Sequence, residues 1–207
     1  MPKYLKFTDV EIHELKSEII GETFEILVKQ PDPEVLALFD DEPLPVIYGT
    51  DANISAGSYI DTIDGLLLGG EIPPVLFIGI RYKLGDEPDF MQFVTSRTRE
   101  FTPAEDTENQ KLIEQMTLRE VKGGGAENFL KFLTTELRDW VSERFNVSDD
   151  TTYIGDSMGG LFGLYTLFTE PKAFKRYVIG SPWQEWNHPT TFELEKKYAE
   201  NNDDMEA

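Results

Sequence analysis

An α/β fold built on a mostly parallel sheet is what this sequence predicts, and three observations predict it. Two apolar runs open the chain as a hairpin, and strand and helix patterns alternate after it. Pro74 to Ile80, PVLFIGI, is the continuous apolar run expected of a central strand. Thr151 to Tyr165, TTYIGDSMGGLFGLY, reads as strand, sharp turn and helix.

Ile12 to Ile20 and Thr23 to Lys29 are the two runs of the hairpin, separated by Gly21-Glu22. Pro31 and Pro33 end its second strand. His13 falls inside the first strand and reads as an ordinary strand residue. Leu44 to Gly49, LPVIYG, is a short buried strand leading into Thr50-Asp51-Ala52-Asn53. Ser58 to Leu68 is a helix closed by Gly69-Gly70. That helix sits between two strands, which makes a right-handed βαβ unit. Arg81 to Glu120 is long and polar, carries Pro88 and Pro103, and has one helix near Asn109 to Arg119. Connections of that length are usually functional or disordered. Gly123-Gly124-Gly125 precedes an amphipathic helix, Ala126 to Phe145, with Phe129, Leu130, Leu133, Leu137, Trp140 and Val141 at helical spacing. The Thr151–Ile154 strand, the Gly160–Phe168 helix, a short Pro171–Phe174 segment and the strand Arg176–Ser181 follow. An acidic amphipathic helix, Thr190 to Glu200, and a polar tail complete a single domain, 1–207, without internal repeats.

Composition bounds the function. The 207 residues suffice for one sizeable core, and 40% hydrophobic with 12% aromatic content marks a globular chain. The formal charge of −20 argues against nucleic-acid and anionic-membrane partners. It reads first as a heavily solvated acidic surface. There is no cysteine, so neither disulfide nor thiolate chemistry is available. No apolar run is long enough to span a bilayer, and MPKYLKFTDV lacks the apolar region of a signal peptide, so a cytoplasmic location is expected. No calcium-loop motif or His/Cys cluster is present; no metal or cofactor is expected.

The chemistry sits in Gly155-Asp156-Ser157-Met158-Gly159, which fits the G-x-S-x-G nucleophile elbow. The motif is short, but it follows a strand and opens a helix, as the elbow requires. Glycines two before and two after the serine let strand and helix approach, and the helix N-terminus offers N–H groups to a developing oxyanion. The bland reading is a glycine-rich turn carrying an inert serine.

Taken together, LPVIYGTDAN, IPPVLFIGIRY, RTREFTP, GGGAENFLKFLTTEL, YIGDSMGGLFGLYTLF and FKRYVIGSPWQEW resemble the esterase D-like family of the α/β-hydrolase superfamily, near its siderophore-esterase branch. The resemblance runs from about His13 to the last residue. It implies a serine hydrolase acting on small-molecule carboxylic esters, with Ser157 as nucleophile. It also implies an oxyanion hole from the Met158 N–H and from Ala52 or Asp51 in the loop after LPVIYG. By the same resemblance Arg97 and Arg99 lie near the active-site mouth, and Trp183 and Trp186 flank the pocket. Plain readings stand beside these: a salt bridge between Arg99 and Glu100, and ordinary packing for the tryptophans.

The sequence departs from the family pattern at its end. The family's acid and histidine follow a further strand, and here the chain stops at Asn201-Asn202-Asp203-Asp204-Met205-Glu206-Ala207, so the domain reads as C-terminally truncated. Only His13 and His188 are present, and His188, just after the Arg176–Ser181 strand, is the one expected near the pocket. His188 is thus the candidate substitute base, against the reading of an exposed loop histidine. The same strand is expected to form an exposed sheet edge with Tyr177, Val178 and Ile179, which favours a homo-oligomer through edge pairing. The alternatives to an esterase are a non-catalytic hydrolase-fold binding or assembly module, or a fragment of a longer esterase.

Overall fold

The computed structural model describes residues 10–37, 42–84 and 89–202. Residues 1–9, 38–41, 85–88 (with Pro88) and 203–207 lie outside that range. Six strands form one mixed sheet in the order β1-β2-β4-β3-β5-β6. The strands are β1 Val10–Lys16, β2 Thr23–Lys29, β3 Leu44–Gly49, β4 Leu76–Tyr82, β5 Val147–Asp156 and β6 Arg176–Gly180. The hairpin β1–β2 joins β4 antiparallel, and β4, β3, β5 and β6 run parallel.

Alternation of side chains along each strand separates two layers. Phe77 of β4 meets Tyr59 of α2 (Ala52–Leu68), with ring centroids 6.1 Å apart. Tyr82, five residues on and on the opposite face, meets Phe93 of α3 (Phe90–Phe101) at 6.0 Å. The second face also carries α5 (Ala126–Phe132), α6 (Arg138–Ser142) and α7 (Met158–Thr169). Its core is aromatic: Phe24, Phe93, Phe101, Phe129, Phe132, Tyr153, Phe162 and Phe174 are buried there. Phe129 lies 5.1 Å from Phe162 and 5.2 Å from Phe101, both edge-on, a geometry that favours ring pairs beyond their buried area.

The expected strands appear with small boundary shifts. β1 stops at Lys16 because the next turn is held from elsewhere: Ser17 Oγ and the N–H groups of Glu18 and Ile19 all donate to the Glu136 carboxylate. The expected helix at Ser58 begins six residues earlier, at Ala52.

The Arg81–Glu120 region needs the largest correction. In place of a long polar connection with one helix, it holds two, α3 and α4 (Thr107–Thr117). Asp89 caps α3 by accepting from Met91 and Gln92, and Asp106 caps α4 by accepting from Glu108 and Asn109. The expected continuous helix from Ala126 contains a π-helical turn at Leu133–Leu137, the turn that carries Glu136. A short α1 (Pro33–Leu36) follows β2, and α8 (Thr190–Ala199) packs on α7. As expected, β6 forms a sheet edge, and Val178 is 52% exposed. No helix among the described residues is long and apolar enough to cross a membrane.

Candidate active site

β5 ends at Asp156 and α7 starts at Met158, so a single residue turns the chain. That residue, Ser157, has φ 58° and ψ −114°, outside the regions that L-residues ordinarily occupy. Its N–H donates to Gly180 O at 3.0 Å, and its carbonyl accepts from the Trp183 N–H at 3.0 Å. The loop leaving β6 therefore grips the serine main chain on both sides. The Ser157 hydroxyl itself makes no hydrogen bond to a described residue.

The β3–α2 loop is pressed against this turn. A methyl group at Gly159 would sit 2.6 Å from Thr50 Oγ1 and 3.4 Å from Asp51 Oδ2. Only glycine allows the approach. Tyr153 fastens the two pieces: its hydroxyl donates to Gly159 O at 2.6 Å and lies 3.2 Å from Thr50 Oγ1. Two helix N-termini, α2 beginning at Ala52 and α7 at Met158, thus converge beside Ser157. Each contributes unpaired N–H groups and the positive end of its dipole, the arrangement that stabilises an oxyanion.

Asp51 occupies a left-handed conformation, φ 56°, ahead of α2 and is only 3% exposed. Arg97 of α3 holds it in a two-pronged contact, Nε to Oδ1 at 2.9 Å and Nη2 to Oδ2 at 2.5 Å. Burial pushes the Asp51 carboxyl above its ordinary range, Arg97 opposes that push, and Asp156 adds to it. The Phe93 and Phe101 rings flank the guanidinium at 5.5 and 5.8 Å. Arg97 is thereby committed to the oxyanion-side loop.

Arg99 is committed as well: it pairs with buried Glu100 at 2.6 Å and with Glu22 at 3.1 Å. Burial raises the Glu100 carboxyl to about 7, against the pull of Arg99. Both arginines are ion-paired with carboxylates, Arg99 with the Glu100 that its plain reading named.

The two tryptophans separate. Trp183 is half-buried, but Trp186 is 0% exposed and donates Nε1–H to Ala104 O at 2.8 Å. The expectation that Trp186 faces a substrate is corrected: its ring lies within the core, edge-on to Trp183 at 5.7 Å.

His188 is exposed, lies tilted against Phe192 of α8 with ring centroids 5.4 Å apart, and makes no hydrogen bond with Ser157. His13 meets Trp140 edge-on at 5.3 Å, on the opposite sheet edge from β6. Three strands separate its strand from β5, roughly 19 Å at the usual strand spacing. No group of three or more His, Asp or Glu among the described residues is arranged to hold a metal ion.

Thr50, Tyr153, Asp106 and Asn187 were not singled out by sequence. Thr50, adjoining Asp51, and Asp106, in a helix-capping position, were the two with a readable signal.

A strained serine between β5 and α7, with the β3–α2 loop against it, defines an α/β-hydrolase-type elbow. The family described as "Putative esterase" matches residues 17–206, and the chain belongs to that family. It is 32% identical over 188 residues to ferri-bacillibactin esterase BesA of Bacillus subtilis, covering 86% of this chain and 60% of the relative's length. Among solved structures, the BES protein from Bacillus cereus superposes with a TM-score of 0.74 at 24% identity, covering 96% of this chain and 71% of that one. The siderophore hydrolase EstB from Aspergillus nidulans gives a TM-score of 0.76 at 24% identity, with 99% and 68% covered.

Proposed function

We propose that this chain acts on small-molecule carboxylic esters as a serine hydrolase, through Ser157 and an acyl-enzyme. One observation carries the reading: Ser157 stands at φ 58°, ψ −114° at the head of α7, with the N-terminus of α2 held beside it. Backbone strain of this kind is retained where it presents a nucleophile. Ser157 Oγ attacks the ester carbonyl. The Met158 N–H and the N–H of Ala52 or Asp51 receive the oxyanion; its collapse breaks the ester C–O bond, the alcohol leaves with the proton taken from the serine, and water then releases the acid. The attacking hydroxyl must lose its proton to a base. His188 is the candidate within this sequence, because it follows β6, the neighbour of the elbow strand. The relative named as a ferri-bacillibactin esterase makes siderophore esters the first substrate class to test. We further propose self-association through the β6 edge, whose outer side has no partner strand among the described residues.

The second reading, a hydrolase-fold binding module, draws on the Ser157 hydroxyl having no hydrogen-bonded base among the described residues. Hydrolysis of a short-chain p-nitrophenyl ester, beside Ser157→Ala and His188→Ala, separates the two. Activity lost in both variants supports the esterase with His188 as base. Activity lost only in Ser157→Ala removes His188 from the mechanism. No difference between the chain and Ser157→Ala overturns the esterase reading for these residues.

A further inference from the structure

We infer that Trp186 and Asp106 are positioning residues for the nucleophile, a role that rests on reading Ser157 as that nucleophile. A left-handed, non-glycine serine does not hold its backbone unaided. The hydrogen bonds that hold it from outside its own helix come from one short stretch, Gly180 O and the Trp183 N–H. That stretch is itself irregular, with Ser181 at φ 36° and Asn187 at φ 43°. Its geometry must therefore be fixed from elsewhere.

The fixing contacts converge on the segment between α3 and α4. Trp186 Nε1–H donates to Ala104 O at 2.8 Å. The Asn187 N–H donates to Asp106 Oδ2 at 2.6 Å, and its side-chain amide donates to Glu105 O at 3.1 Å. Asn109 Nδ2 reaches Glu185 O at 3.3 Å from the first turn of α4. The Trp186 ring closes the joint: a methyl group at Gly123 would come within 2.8 Å of it.

Asp106 is the hub. One oxygen caps α4 through Glu108 and Asn109, and the other takes Asn187 and the Asn109 amide. Burial pushes its carboxyl up, but the hydrogen bonds from Asn109, Asn187 and Glu108 outweigh this and hold it below the ordinary range. A line of contacts thus runs from Asp106 through Asn187, Trp186 and Trp183 to the carbonyl of Ser157. The Ala104–Asn109 segment, which follows the Arg97–Pro103 region, and the Trp183–Asn187 stretch act here as a buttress for the elbow.

The test compares Asp106→Ala, Asp106→Asn and Trp186→Phe with the unmodified chain in two assays. The first is amide hydrogen exchange. Loss of the charge-assisted bond in Asp106→Ala should speed exchange at Ser157 and Trp183 about tenfold, with β4 amides unchanged. Asp106→Asn, which keeps an acceptor oxygen, should restore most of the protection. The second assay is labelling of Ser157 by a fluorophosphonate probe. The maximal labelling rate should fall about tenfold in Asp106→Ala and severalfold in Trp186→Phe, with half-saturating probe concentration unchanged. Faster exchange at Asn187 with Ser157 and Trp183 unaffected overturns the proposal. So does a rise in half-saturating probe concentration at an unchanged maximal rate. If the unmodified chain fails to label, the esterase reading fails, and the exchange assay alone decides whether the buttress holds the turn.

Discussion

Replacing Arg97 with methionine should destabilise this protein more than any other single change at a charged residue of the site. Both guanidinium contacts end on Asp51, which is 3% exposed, so the variant leaves a carboxylate inside the protein without its counter-ion. Breaking a buried ion pair from one side costs roughly 3–5 kcal/mol. In a chain of this size each kcal/mol moves the melting temperature by roughly 2–4 °C, so a fall of about 10 °C is expected. Asp51→Asn in the same background removes the stranded charge. The double variant should lose only about 1–2 kcal/mol, the packing of the guanidinium between Phe93 and Phe101 and some polar pairing. Urea unfolding followed by tryptophan fluorescence, run as a double-mutant cycle, measures all three terms. The single variant should also regain stability as pH falls, since its Asp51 binds a proton more readily folded than unfolded. An Arg97→Met cost below about 1 kcal/mol would refute the argument, as would a double variant no more stable than the single one.

Three further outcomes are expected. The Glu100 carboxyl stands at about 7 folded against 4.5 as the ordinary value, so the folded state holds the extra proton between them. Stability should then fall by about 3 kcal/mol as pH rises through that window, and Glu100→Gln should flatten the fall in pH-dependent urea titrations. Gly159→Ala drives a methyl group into Thr50 and should cost about 1–3 kcal/mol by the same titration, with slower probe labelling. Ser157→Gly relieves the positive φ and should raise stability by about 1 kcal/mol while abolishing labelling; a loss of stability would show that the turn is unstrained.

What the sequence made readable was local. TFEILVK and LPVIYG were located to the residue because turn residues and prolines bound them and β-branched and aromatic residues fill them. The elbow was readable because the turn's steric demands leave glycines at set offsets. α3 was hidden because its inward face, Phe93, Arg97 and Phe101, carries an arginine where helical spacing calls for an apolar residue, while Phe90 is exposed. Arg97 is half-buried by virtue of Asp51, 46 residues earlier, and no local signal encodes such a partner. Trp186 misled for the same reason: an aromatic residue after a strand reads alike whether it lines a pocket or is locked against Gly123. The start of α2 was lost because a left-handed aspartate, not a capping serine or glycine signal, sets it.

The pairing of both arginines with acidic partners bears on the kinetics of encounter. With Arg97 facing Asp51 and Arg99 facing Glu100 and Glu22, neither acts as a beacon for an approaching anion. The chain as a whole carries a formal charge of −20. A negatively charged ester would drift toward Ser157 against a repulsive potential that reaches about 30 Å in dilute buffer and shrinks to about 8 Å at physiological ionic strength. Capture of such a ligand would accelerate on adding salt, the reverse of ordinary electrostatic steering, whereas a neutral ester would arrive at the same pace in either medium.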